Sequence, residues 1–156
     1  MSPAIAGACA GLAGSATCWE ELAIQLAARA VQLAAGLEPD PNAAPAGALA
    51  RVTLAVRRIE RNPAAGLNLA SLAREARLSP YHFLRTFQKL TGVTPHQFIL
   101  RKRLRNAALR LAAETTLVLD IALDCGFGDL SNFNHAFRAE FGVSPTSFRR
   151  NMRRAH

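Results

Sequence analysis

The sequence predicts an all-α fold built from one helical unit used twice. Strand-type alternation is nearly absent from the 156 residues, while apolar residues recur at the three- and four-residue spacings of helices. A twelve-residue phrase also occurs twice, fifty residues apart. Phe87-Gln88-Lys89-Leu90-Thr91-Gly92-Val93-Thr94-Pro95-His96-Gln97-Phe98 returns as Phe137-Arg138-Ala139-Glu140-Phe141-Gly142-Val143-Ser144-Pro145-Thr146-Ser147-Phe148. Upstream, Leu72-Ala73-Arg74-Glu75-Ala76 returns as Ile121-Ala122-Leu123-Asp124-Cys125, offset by forty-nine because the second copy has one extra turn residue.

Each element follows from local chemistry. Residues 1–16 are an Ala/Gly/Ser tract without periodicity. Thr17-Cys18-Trp19-Glu20 reads as a capping box, and Trp19, Leu22, Leu26 and Leu33 follow at helical spacing with Gly36 as a stop, so a helix is expected over about 18–35. Pro39, Pro41 and Pro45 form a linker. A helix over about 47–61 carries Leu49, Val52, Val56 and Ile59 on its apolar stripe, and Asn62-Pro63 ends it. Asn68 caps a short helix over 69–76, and Ser79-Pro80 opens the next with an N-cap and an N1 proline, running to about Thr91. Thr94-Pro95-His96-Gln97 is a further capping box that starts a longer helix to about Ala113. The second copy begins near Thr116, runs through Cys125, and turns at Gly126–Gly128. Asp129 then caps a helix to about Phe141, and Ser144-Pro145 opens a last one ending near Met152.

The charge is uneven. Residues 1–46 hold one Arg against four acids (1 − 4 = −3), and 47–156 hold eighteen Lys/Arg against seven (18 − 7 = +11). Such a basic segment points to nucleic acid or an anionic membrane surface. Cys9, Cys18 and Cys125 form no C-x-x-C pair, which supports neither a disulfide framework nor a structural zinc site. No Lys or Arg precedes Arg29, so a secretory leader is not expected, and no stretch reaches ~18 apolar residues without charge or a breaker. The chain reads as soluble and cytoplasmic, associated with the nucleoid.

In each copy the second helix has a core face and an outward face. Phe83, Phe87 and Leu90 are expected to be buried in the first, leaving Tyr81, Arg85 and Gln88 opposite and His82 and Lys89 beside them. Phe133, Phe137 and Phe141 are the counterparts in the second, with Ser131, His135 and Arg138 outward and Asn134 on the border. A short helix, a tight turn and a second helix with hydrogen-bonding groups outward make a helix-turn-helix, whose second helix enters a major groove.

Residues from about Leu49 to Arg150 resemble the DNA-binding domain of the AraC/XylS family. The first unit carries Ser79-Pro80-Tyr81-His82-Phe83-Leu84-Arg85, Phe87 and Gly92 to Pro95, followed by Arg103-Leu104, Ala108 and Leu111. The second carries Ile121-Ala122, Cys125-Gly126-Phe127, Asp129, Ser131, Phe133, Phe137, Gly142, Ser144-Pro145 and Phe148-Arg149. The resemblance implies two helix-turn-helix (homeodomain-like) subdomains joined by a long helix, behind an Ala-rich helical N-terminal segment. The expected divisions are 1–46 for that segment and 47–156 for the DNA-binding domain. Within the latter, the first unit spans about 47–93, the joining helix about 95–113 and the second unit about 115–152. The joining helix would be about 28 Å long, near the ~34 Å turn of B-DNA.

By position, the resemblance puts Tyr81, His82, Leu84 and Arg85 at base-proximal sites of the first unit and Leu130, Ser131, Asn134 and His135 at those of the second; the outward Gln88 and Arg138 join them. Leu84 and Leu130 offer only apolar contact there, for instance to a thymine methyl. Arg101, Lys102, Arg105, Arg149 and Arg150, with Arg153 and Arg154 beyond them, are phosphate candidates. His82 and His135 lack a second ligand four residues on, so no metal is expected, and no cofactor or catalytic constellation emerges.

The expected function is a sequence-specific regulator of transcription. Its expected partners are double-stranded DNA and, as a further candidate, RNA polymerase; no membrane is expected among them, and the chain would act as a monomer or weak homodimer. Forty-six Ala-rich residues are too few for an effector domain, so a stand-alone binder and a fragment of a longer effector-responsive regulator both stay open. A non-specific basic architectural protein is the other alternative. An alkyl transferase on the same module would need a thiolate cluster, and only Cys9 and Cys18 precede it. The two outward faces differ, so the target should be asymmetric.

Overall fold

A computed structural model describes residues 16–34 and 47–154, and the described residues form helices and connectors only. The helices are α1 (Ala16–Ala34), α2 (Ala48–Arg61), α3 (Leu69–Glu75), α4 (Pro80–Thr91), α5 (Pro95–Ala113), α6 (Val118–Asp124), α7 (Leu130–Phe141) and α8 (Pro145–Arg154). They fall into two compact units, one of residues 16–34, 47–62 and 67–98, the other of 63–66 and 99–154.

In the first unit, Val52 and Ile59 of α2, Leu69 and Leu72 of α3, and Phe83 and Phe87 of α4 are sealed from solvent. The buried line of α2 is Ala48, Val52, Ala55 and Ile59. The expected stripe through Leu49 is therefore corrected: Leu49 is 57% exposed, because the small alanines take the contact side and the larger Leu49 stands on its edge. Helix α3 has seven residues, too few to persist alone. It is held by tertiary burial and by a capping box, with Ser71 N–H donating to Asn68 Oδ1 at 2.8 Å and Asn68 N–H to Ser71 Oγ at 3.3 Å. Ser79 caps α4, Pro80 sits in its first turn, and Gly92 (φ 77°) closes it in the left-handed region. Leu90 is 41% exposed rather than buried, since Phe83 and Phe87 carry the core contact.

Helix α1 packs on α3 and α4 in this same unit. Its contact face is not the expected leucine stripe. Leu26 is 62% exposed and Leu22 half-buried, while Glu21 is buried. The Glu21 carboxylate accepts the His96 N–H at 2.9 Å, in the first turn of α5. A carboxylate there faces the positive end of the helix dipole. Burial pushes the Glu21 carboxyl up from its ordinary pKa, opposed by the His96 and Thr94 hydrogen bonds. The helix begins at Ala16, ahead of the expected cap at Thr17. The side chains of Trp19 and Leu33, and Gly36 with the three linker prolines, lie outside the described residues.

The second unit has its own core of Leu104, Ala107, Leu111, Ile121, Ala122, Cys125, Phe127, Phe133 and Phe137, with Val118, Phe141 and Phe148 packed against it. Its rings meet edge-on or tilted, as their quadrupoles favour: Phe127–Phe133 at 4.9 Å, Phe133–Phe137 at 5.4 Å, Phe137–Phe148 at 5.5 Å.

The two turns share one closure. Leu78 N–H donates to Ala73 O at 3.0 Å, and Phe127 N–H to Ala122 O at 3.1 Å, each around a residue of positive φ. In the first copy that residue is Arg77 (φ 51°), in the second Gly126 (φ 91°). A Cβ on Gly126 would lie 2.9 Å from Ala64 Cα, so glycine is required there twice over. Arg77→Gly should therefore raise unfolding free energy by about 0.5–1 kcal/mol in urea denaturation, while Gly126→Ala lowers it by at least about 2 kcal/mol.

Candidate nucleic-acid interface

The outward side of α7 is built from its N-terminus. Asn132 N–H donates to the capping Asp129 carboxylate at 2.7 Å, and Phe133 and Phe137 lock the opposite side into the core. Ser131, Asn134, His135 and Arg138 are consequently brought together, all exposed. Leu130 is half-buried against the core, so only part of it is available to a ligand.

On α4 the picture differs. Tyr81, His82, Arg85 and Gln88 share the outward side but are half-buried. His82 is fixed by Ser79, whose Oγ lies 2.8 Å from Nδ1, and the Tyr81 and His82 rings meet edge-on at 5.6 Å. Arg85 Nη1 reaches the Tyr81 hydroxyl only at 3.5 Å, a loose contact that leaves the guanidinium free to re-aim. Leu84 must be withdrawn from the base-proximal set: it is 1% exposed and belongs to the core.

Among the phosphate candidates, Arg101, Arg105 and Arg150 are exposed on α5 and α8, with Arg153 and Arg154 beyond, and Lys102 is half-buried. Arg149 is partly committed elsewhere. Its Nη2 donates to Thr116 O at 2.6 Å, tying α8 to the segment before α6.

Two arginines that sequence reasoning left without a role organise the second unit. Arg103 donates from Nε to Pro63 O at 2.7 Å, from Nη2 to Ala65 O at 3.1 Å and from Nη1 to Gly126 O at 2.7 Å. One side chain thus pins the 63–66 loop to the turn before α7, and burial lowers its pKa. The signal in the sequence was Arg103 within the family motif, but its carbonyl partners are invisible there. Arg110 pairs with Glu114 at 2.9 Å and with Asp124 at 2.9 Å, joining α5 to the end of α6 and holding the Glu114 carboxyl below its ordinary range. The Arg110–Glu114 spacing of four was the legible half of that network.

Among the described residues no group of three or more His, Cys, Asp or Glu is placed to hold a metal ion, and no helix is long and apolar enough to cross a membrane.

The model of a helix-turn-helix domain matches residues 72–151. The Transposon Tn10 TetD protein of Escherichia coli is 37% identical over 93 residues, 60% of this chain and 67% of that protein. The probable transcription factor PqrA of Proteus vulgaris is 31% identical over 94 residues, 60% of this chain and 75% of that one. Among solved structures, the AraC-type DNA-binding domain-containing regulator of Chromobacterium violaceum superposes with a TM-score of 0.61 at 27% identity, over 69% of this chain and 96% of that one. This chain belongs to the AraC/XylS family.

The DNA-binding domain of AdpA, a global transcriptional factor solved in complex with a target DNA, is a second structural match, with a TM-score of 0.60 at 28% identity, over 69% of this chain and 95% of that one. Other relatives are longer: the chain spans 36% of the probable transcriptional regulator LumQ of Photobacterium leiognathi, 37% identical over 90 residues, 58% of this chain.

Lysine cannot bridge three carbonyls as the planar guanidinium of Arg103 does. Arg103→Lys should cost about 2 kcal/mol in denaturant unfolding and speed amide exchange around Gly126. Burial raises the Cys125 thiol pKa, so fewer thiolates exist at neutral pH. Peptide mass mapping after iodoacetamide should find Cys125 unmodified in native protein and modified once it is unfolded.

Proposed function

We propose that this chain is a sequence-specific duplex DNA-binding regulator of transcription, a binding protein rather than an enzyme. The observation that carries this reading is the exposed row Ser131, Asn134, His135 and Arg138 on a helix locked by two buried phenylalanines. Rigid hydrogen-bonding groups on a helix of a chain with net charge +8 suit base edges better than they suit lipid. AdpA, whose domain was solved on a target DNA, supplies the analogy.

In this reading His135, Asn134 and Arg138 contact bases in one major-groove segment, and Ser131 supports them. Tyr81, His82, Arg85 and Gln88 are the first unit's counterparts, with Arg85 as its guanine reader. The exposed Arg101, Arg105 and Arg150, with Lys102 and the outer end of Arg149, neutralise phosphates. Unlike faces imply a composite target of two unlike boxes wherever both helices engage. The setting is the cytoplasm, on the nucleoid, as a monomer or weak homodimer, with RNA polymerase as a further partner. The chain acts alone or as the reading end of a longer effector-responsive regulator. No residue role requires a cofactor.

Selection of bound sites from random duplex DNA tests the reading. His135→Ala should relax the preference at particular base pairs and cost ~1–3 kcal/mol on the selected site, whereas Arg150→Ala should weaken all sequences alike and reduce the salt slope by about 0.9. Equal affinity of the native chain for selected and unselected duplexes would point instead to a non-specific architectural binder.

A further inference from the structure

The two helix-turn-helix copies act as controls for one another. The fifty-residue offset pairs Tyr81 with Ser131, Leu84 with Asn134, Arg85 with His135 and Gln88 with Arg138. On α7 all four positions are exposed; on α4 Leu84 is buried and the other three are half-buried. His82 and Asn132, on the other flank of their helices, are half-buried in both copies. Apart from Thr86, buried where Ala136 is half-buried, the loss of exposure lies on one side of α4.

The described element beside α4 that has no counterpart in the second unit is α1. Its described partners lie near both ends of α4. Glu21 is bonded to His96, just past the C-terminal end of α4. Ile24, Ala27, Ala28 and Val31 border a cavity of about 470 Å³ with Ser79, Pro80 and Tyr81 at its start. From 21 to 31 is about 15 Å of helix, against about 18 Å for the twelve residues of α4.

Geometry then decides what α4 can do. A major groove about 12 Å wide admits one helix of roughly 10–12 Å diameter. Two helices side by side, with axes about 8–10 Å apart, do not enter it. Two of the α1 residues bordering the cavity are alanines, and the buried acid Glu21 bonds the start of α5 rather than α4.

We propose that α1 is an autoinhibitory helix that lies along the groove-facing flank of α4 and must leave before the first unit can read DNA. The resting chain then reads with α7 alone. This rests on the duplex-binding reading above.

Random-duplex selection should be run with the native chain and with Ile24→Asp and Ala28→Glu, which place a carboxylate at the cavity that α1 and α4 border. The native chain should select a single box. The variants should select a composite of two, and bind it about tenfold or more tightly than the native chain does. Hydrogen exchange on the unmodified chain gives a readout without substitutions: residues 20–31 should exchange faster when the composite duplex is added. A native chain that already selects both boxes as tightly as the variants, with 20–31 still protected, overturns the inference and leaves the duplex reading intact. Loss of sequence preference in all three chains overturns both.

Discussion

The structure depends on four phenylalanines. The helices that open the two turns, α3 and α6, are seven residues each, well below the length at which a helix persists in water. What holds them is burial against Phe83 and Phe87 in one unit and Phe133 and Phe137 in the other, all fully sealed. Because the rings of each pair lie four residues apart, they fix the rotation of α4 and α7 about their own axes. That rotation decides which side chains face outward.

This is why so much was legible in the sequence. Caps at Asn68, Ser79, Thr94, Asp129 and Ser144, the left-handed glycines at 92 and 142, and the phenylalanine spacing are all local, and each stands where local chemistry puts it. The larger misreadings are non-local. The resemblance put Leu84 among the base-proximal sites, but tertiary packing seals it at 1% exposure. Leu49 and Leu26 scored as core because they are large, yet alanines and a buried Glu21 hold those contacts instead. Arg103 finds its carbonyls forty residues behind and twenty-three ahead, distances over which no spacing rule operates.

The arginines also divide more finely than net charge suggests. Arg58 is paired with Glu75, Arg110 with two acids, Arg103 with three carbonyls and Arg149 with one. These side chains stabilise the fold that displays the others. The arginines open to a polyanion are therefore fewer than the composition suggests, and Arg101 and Arg105 on α5 and Arg150, Arg153 and Arg154 on α8 are among the exposed ones. A basic composition records two uses of the same residue type, and only partner geometry separates them.

The loop 63–66 gives the second unit an unusual property. Although it lies between α2 and α3 in the chain, it is packed in the other unit, tied by Arg103 and closed over Gly126. The second unit is thus discontinuous in sequence and cannot be excised by one cut. A fragment beginning near residue 99 would carry the Arg103 guanidinium without two of its three acceptors. During synthesis the loop must wait for residues 103 and 126 to emerge, so the second unit closes around a piece of chain made long before it.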